Sequence, residues 1–321
     1  MLRNKKFSII TLGLYTASML ALPLSASAAT GTGGAQAPAA KPKAKVTTVA
    51  PHSTYEQCLT NVSKIDDLSI LKNRINTRAD HQLAILNKAK PMLTAMAPDQ
   101  QSVLSAGIAS DIAVFNKAKA DSANVTDVKV LWTNYCTMYY TTFVSKFRVP
   151  QIAYTNMLNK RLKRDTALQT VLASPYDTTY KGLLKDVVNA HYTEAKQVAD
   201  ANVAAEKAAI AQLLAAKVDV TAHQPTLDLS KSSPFVAALK SFDSNYTSAY
   251  TKWTEAGAIR AAAKKVQPDL AVGTATVALQ DADGKDAPTA KKAVKATVTV
   301  NVNSKATNVL VARKGANFLW R

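Results

Sequence analysis

Acidic residues are in short supply in this chain: 22 Asp and Glu stand against 40 Lys and Arg, a net charge of +18. Such a balance favours polyanionic partners, whether anionic lipid head groups, wall polymers or nucleic acid. Cysteine is scarcer still, with Cys58 and Cys136 alone. Neither lies in a CxxC pair and no histidine clusters beside them, so the sequence supports no zinc or redox centre. The four histidines, His52, His81, His191 and His223, stand isolated. Motifs of chemistry are missing as well: no nucleophile elbow, phosphate loop, HExxH or Cys-His pattern occurs. No catalytic, cofactor-binding or metal-ligating residue is assigned, and a non-enzymatic protein is expected.

Long apolar runs are confined to one place, Phe7 to Leu24. Arg3, Lys5 and Lys6 precede it, and Ala26-Ser27-Ala28 follow with small residues where a signal peptidase reads them. That order is the secretory pattern. Thr11, Gly13, Thr16, Ser18 and Pro23 interrupt the run, which argues against a spanning helix. The expectation is a signal peptide over 1–28, cleavage after Ala28, and a product in the envelope or outside the cell. Removing Arg3, Lys5 and Lys6 from the net +18 leaves +15. No later stretch is long and apolar enough for a second span. Residues 29–52, rich in Ala, Gly, Thr, Pro and Lys, read as a flexible spacer.

Helical periodicity opens at Ser53-Thr54-Tyr55-Glu56, which has capping-box spacing. Leu59, Val62, Ile65, Leu68, Leu71, Ile75, Ala79, Leu83 and Leu86 continue at threes and fours, predicting one long helix from Ser53 to Lys90. Adjacent Asp66 and Asp67 diverge by about 100° on such a helix and read as a solvated face. Further helices are predicted from Pro98, from Thr126 or Asp127, over Tyr180 to Ala216, and from Ser233-Pro234 toward Lys265. Val149-Pro150 should bend or stop the third. Beyond Pro268 the period falls to two, in Val272–Leu279 and Val294–Val302, with Val309–Val311 as a third strand. The fold class is mainly α: a bundle of long amphipathic helices over 53–266, then a small β hairpin or three-stranded tail over 267–321.

Three groups of residues merit attention within that frame. Lys160-Arg161-Leu162-Lys163-Arg164 is the densest basic stretch, so Lys160, Arg161, Lys163 and Arg164 are the expected polyanion contacts. No aromatic residues interleave, so base stacking and sequence-specific nucleic-acid binding are not expected. Tyr135 and Tyr139 on one helix, and Tyr246, Tyr250 and Trp253 on another, are candidates for an aromatic binding surface, although aromatics at helical spacing usually enter a core. Asn134-Tyr135-x3-Tyr139 and Asn245-Tyr246-x3-Tyr250 share a spacing, a hint of a duplicated unit. Asp281, Asp283 and Asp286 around Gly284 resemble a fragment of a calcium loop, but the ligand spacing fails after Asp283 and a turn explains them equally.

In an oxidising compartment Cys58 and Cys136 are expected to pair. Were 53–90 one helix in an up-down-up bundle, Cys136 would lie level with about residue 76, about 27 Å from Cys58. A disulfide reaches only about 7 Å between Cα atoms. The bond therefore predicts that the third helix continues in the direction of the second.

From Cys58 to Pro150, Leu71-x2-Arg74-Ile75-x2-Arg78, the stripe through Ile112 and the Tyr135-x3-Tyr139 helix ending at Val149-Pro150 resemble a class of exported, all-helical bacterial proteins of unassigned function. The resemblance implies export and a helical fold, and no activity. The leading expectation is an extracytoplasmic binding or spacer module. A holdase-type chaperone and a nonspecific binder of polyanions are the alternatives, and a protein partner is open.

Overall fold

A computed structural model describes residues 55–60, 67–174, 181–219, 224–266, 273–302, 304–314 and 319–321. The expected signal peptide and spacer, with the Ser53 cap, lie outside them. The fold is mainly helical with a small C-terminal sheet. In order run α1 (Tyr55–Thr60), α2 (Leu68–Ala89), α3 (Pro98–Ala123), α4 (Val128–Leu172), α5 (Lys185–Ala215) and α6 (Pro234–Ala263). Two-residue strands β1 (Val218–Asp219) and β2 (Gln224–Pro225) pair between α5 and α6.

Local chemistry sets the helix starts. Asp127 accepts from the amides of Lys129 and Val130, and Ser233 from that of Val236. These bonds satisfy amides that a helix start leaves without partners. Pro98 and Pro234 occupy first-turn positions, where no backbone donor is needed.

The predicted single helix from Ser53 to Lys90 is corrected. α1 ends at Thr60, and α2 begins at Leu68 with Asp67 as its cap, accepting from the amides of Ser69 and Ile70. Asp67 is thus a helix boundary rather than a solvated mid-helix acid, and the Ser69 hydroxyl, together with these amides, holds its carboxyl below the ordinary range.

Side-chain bonds fix the directions of the helices. Arg78 of α2 donates to the Tyr135 hydroxyl, and Asn156 to the Met92 carbonyl, so α2 and α4 run parallel. Lys119 pairs with Asp80 and Arg148 with Asp111, so α3 is antiparallel to both. This is an up-down-up bundle. Farther along α4, Gln169 donates to Asp200 and Gln151 to the carbonyls of Leu213 and Ala216, which makes α5 antiparallel. His191 and Glu255, then Glu194 and Lys252, pair α5 antiparallel to α6. Two three-helix bundles therefore share α4, whose 45 residues span about 67 Å at 1.5 Å per residue.

Pro150 does not stop the helix, because α4 continues through it. An internal proline removes one backbone bond and crowds the preceding turn. Here the flanking residues are tied down: Arg148 to Asp111, and Gln151 to the end of α5.

Separate apolar clusters follow this layout. One holds Leu71, Ile75, Leu104, Ile108, Phe115 and Trp132 of the first bundle. A second, at the waist, joins Leu158, Ile210, Leu213, Phe235 and Leu239. The third joins Val188, Ala195, Ala199, Ala256 and Ile259 to the sheet. That sheet runs β3 (Thr274–Gln280), β4 (Lys295–Val302), β5 (Lys305–Lys314) and β6 (Leu319–Trp320), all antiparallel. On β4, Ala296, Val298, Val300 and Val302 alternate into the core. The end of α6 supports the sheet, as three isolated strands would require. There Gly257 leaves room for Trp320: a Cβ at that position would stand 2.8 Å from the indole Cδ1.

Candidate functional site

Cys58 and Cys136 form a disulfide with a Cα separation of 5.8 Å. Arg78 meets Tyr135, so Cys136 lies level with about residue 78, as up-down-up order demands. The bond and that order coexist because α1 is a separate helix set against α4. The Trp132 indole donates to the Cys58 carbonyl at 2.7 Å, and Tyr55 and Thr137 join their hydroxyls. The inference that the bond excludes an up-down-up bundle fails with its premise of one continuous helix.

The basic stretch divides by helical spacing. Arg161 and Arg164 turn inward, with Asp165 beside them. Arg161 makes a two-point pair with Asp243 of α6, and Arg164 bonds both Asp165 and Asp243. The expectation that these arginines contact a polyanion is corrected: their charge is committed within the protein. Lys160 and Lys163 do face solvent.

From α5, Asn202 donates to Asp165 and to the Phe242 carbonyl, while Asn245 donates to Asn202. Asp165 and Asn202 are almost fully buried, and Glu206, one turn on from Asn202, is completely so. Neither Glu206 oxygen has a hydrogen bond of normal geometry. Burial and the nearby Asp165 charge push the Glu206 carboxyl up to about 8, against the opposing pull of Arg164 and Arg161. Glu206 is protonated at neutral pH, which lets a third acid sit beside two arginines and two carboxylates. Burial would also raise Asp243, but Arg161 and Arg164 hold it below the ordinary carboxylate range.

A smaller cluster sits at the Pro150 junction. Arg148 pairs with Asp111 at 2.9 Å and donates to Gln151. Gly107 makes the crossing possible, since a Cβ there would stand 2.6 Å from the guanidinium carbon. Burial raises the Asp111 carboxyl even with Arg148 beside it.

The five candidate aromatics of the two groups are half-buried and pack against the cores. Tyr135 and Tyr139 pack half-buried on the first core beneath Arg78, whose guanidinium lies 4.3 Å from the Tyr139 ring centroid. Tyr246, Tyr250 and Trp253 pack against the third core, with Arg164 3.8 Å from the Tyr246 ring. The repeated Asn-Tyr-x3-Tyr spacing has a structural counterpart. In each bundle an arginine of the first helix stacks on a tyrosine of the third. The asparagine of the third bonds the second, as Asn134 to Ser122 and Asn245 to Asn202.

At the β3–β4 turn Asp281 accepts from the amides of Asp283 and Lys285, and Gly284 adopts φ +83°. The turn accounts for Asp281, and no cluster of metal-ligating side chains occurs among the described residues. An open trough along α6 is lined by Asp243, Ser244, Thr247, Ser248, Thr251 and Lys252. A single helix supplies all of these side chains, which cannot enclose a substrate. No helix among the described residues is long and apolar enough to cross a membrane. No protein family, curated protein or solved structure matches this chain.

Proposed function

We propose that this chain is an exported, non-enzymatic spacer and binding module of the cell envelope or exterior. The observation that carries the reading is the single helix of about 67 Å shared by two bundles. Its internal proline is held on both sides by buried polar bonds, which favours a stiff element over a hinge. The most connected polar groups, Arg161, Arg164, Asp165, Asn202 and Asp243, bond one another rather than converge on a cleft. Export rests on the N-terminal sequence pattern.

Two measurements test the two halves of this reading. Spin labels on the exposed positions Lys129 and Thr170 should give a narrow distance distribution near about 60 Å. A broad or much shorter distribution would place a hinge at Pro150 and end the spacer reading. N-terminal sequencing of protein recovered from the envelope or medium should begin near Ala29. A chain still bearing Arg3 to Lys6 would overturn cleavage.

A further inference from the structure

We infer that the outer face of α3 pairs, antiparallel, with the same face of a second copy of this chain. The inference stands on α3 alone and does not draw on the spacer reading. Leu104, Ile108, Asp111 and Phe115 turn one side of α3 into the first bundle. On the opposite side Asp99, Val103, Ala106, Ser110, Ala113 and Lys117 follow one another at intervals of four and three in alternation, and all six are exposed. Residues spaced in this way share one line along a helix, the seam on which two helices pack.

Charge singles out this face. The chain carries 40 Lys and Arg against 22 Asp and Glu, so two copies repel each other overall. Between Asp99 and Lys117 the only charged residue of α3 is Asp111, which is buried and paired with Arg148. The exposed residues from Ser102 to Val114 are all Ser, Ala or Val. Val103 is 47% exposed and Val114 37%, so the face has apolar surface to bury. A second copy lying along it meets no cation before the end of the seam.

The two ends set the direction. In an antiparallel pair the seam is its own complement: Asp99 meets Lys117 of the second copy, Val103 meets Ala113, and Ala106 meets Ser110. An opposite-charge pair then closes each end of the contact. A parallel pair would instead set Asp99 on Asp99 and Lys117 on Lys117. Asp99 makes no ion pair among the described residues. Lys117 pairs with Asp121 one turn on, yet its side chain is 75% exposed, and an ammonium has donors for a second carboxylate. A contact of one face with itself closes at two copies. A single helix face is at the small end of protein interfaces, below about 1,200 Å², so the dimer is concentration-dependent.

The test is sedimentation equilibrium of the whole exported, oxidised protein from micromolar to submillimolar concentration, which should show monomer and dimer. A106K sets a lysine at the centre of each face and should weaken the dimer more than about tenfold, through like charge and lost fit. A167K makes the same change at an exposed position of α4 and should leave the dimer unchanged. Thermal melting should be the same for both variants. D99K should weaken the dimer several-fold, and D99K/K117E should restore it. Monomer at every concentration, or equal weakening by A106K and A167K, would overturn the interface. Failure of D99K/K117E to restore the dimer would overturn the antiparallel register, and a trimer or larger assembly would overturn the closed pair.

Discussion

The two bundles along α4 share a plan and differ in what holds them. In the first, a disulfide fastens α1 to α4, and the centre is largely apolar, from Leu71 and Ile75 to Phe115 and Trp132, with one buried ion pair, Arg148–Asp111, near Pro150. In the second there is no cysteine, and Arg161, Arg164, Asp165, Asn202 and Asp243 connect all three helices around a buried Glu206. An apolar centre is tolerant of its neighbours, and the covalent bond acts largely by restricting the unfolded chain. A charged centre depends on every member, because a buried ion without its partner is costly. The same three-helix arrangement is thus fixed once by covalent chemistry and once by mutual electrostatic satisfaction.

That contrast breaks most sharply at Asp165. Asp165→Ala should cost about 3–5 kcal/mol, since it leaves Arg164 and Asn202 short of a buried partner. Denaturant unfolding measures it, and a loss under about 1 kcal/mol would show that the network is not a unit.

Reduction of Cys58–Cys136 comes next, with about 2–4 kcal/mol expected. Non-reduced peptide mapping should find the bond, and a dimer linked through either cysteine would contradict it.

The second bundle should carry a pH response of its own. With Glu206 raised to about 8 from its ordinary 4.5, the folded state keeps a proton that the unfolded chain releases in between. Stability should therefore fall as pH rises from about 4.5 to about 8 and then level off. Glu206→Gln should flatten that part of the melting-temperature profile, and an unchanged slope would remove Glu206 from the account.

The smallest effect is Asp67→Ala, at about 1 kcal/mol for a lost cap. It should be confined to α2, as hydrogen exchange at Ser69 and Ile70 would report.

Much of the fold was legible in the sequence, and the misses have physical causes. Asp127, Ser233 and the prolines at 98 and 234 mark real helix starts, because caps act through bonds to their own neighbours. Asp67 is also a cap, yet the apolar spacing from Leu59 to Leu71 ran across it unbroken and concealed the boundary. That α4 does not stop at Pro150 was hidden, since the bonds that carry the helix past it come from α3 and α5, distant in sequence. The inward turn of Arg161, Arg164 and Asp165 was within reach: they fall at i, i+3 and i+4, between buried Leu158 and Leu168. Glu206 offered the same signal, a polar residue one turn from Asn202 in a stripe with Ala199, Ala209 and Ile210. Its raised titration was beyond the sequence, because Asp165 approaches it from another helix.

Hydrogen exchange on oxidised and reduced protein tests the central claim most directly. If each bundle carries its own lock, reduction should speed exchange in residues 55–60 and 67–149 and leave 185–263 unchanged. Equal acceleration in both regions would show one cooperative unit and contradict the account.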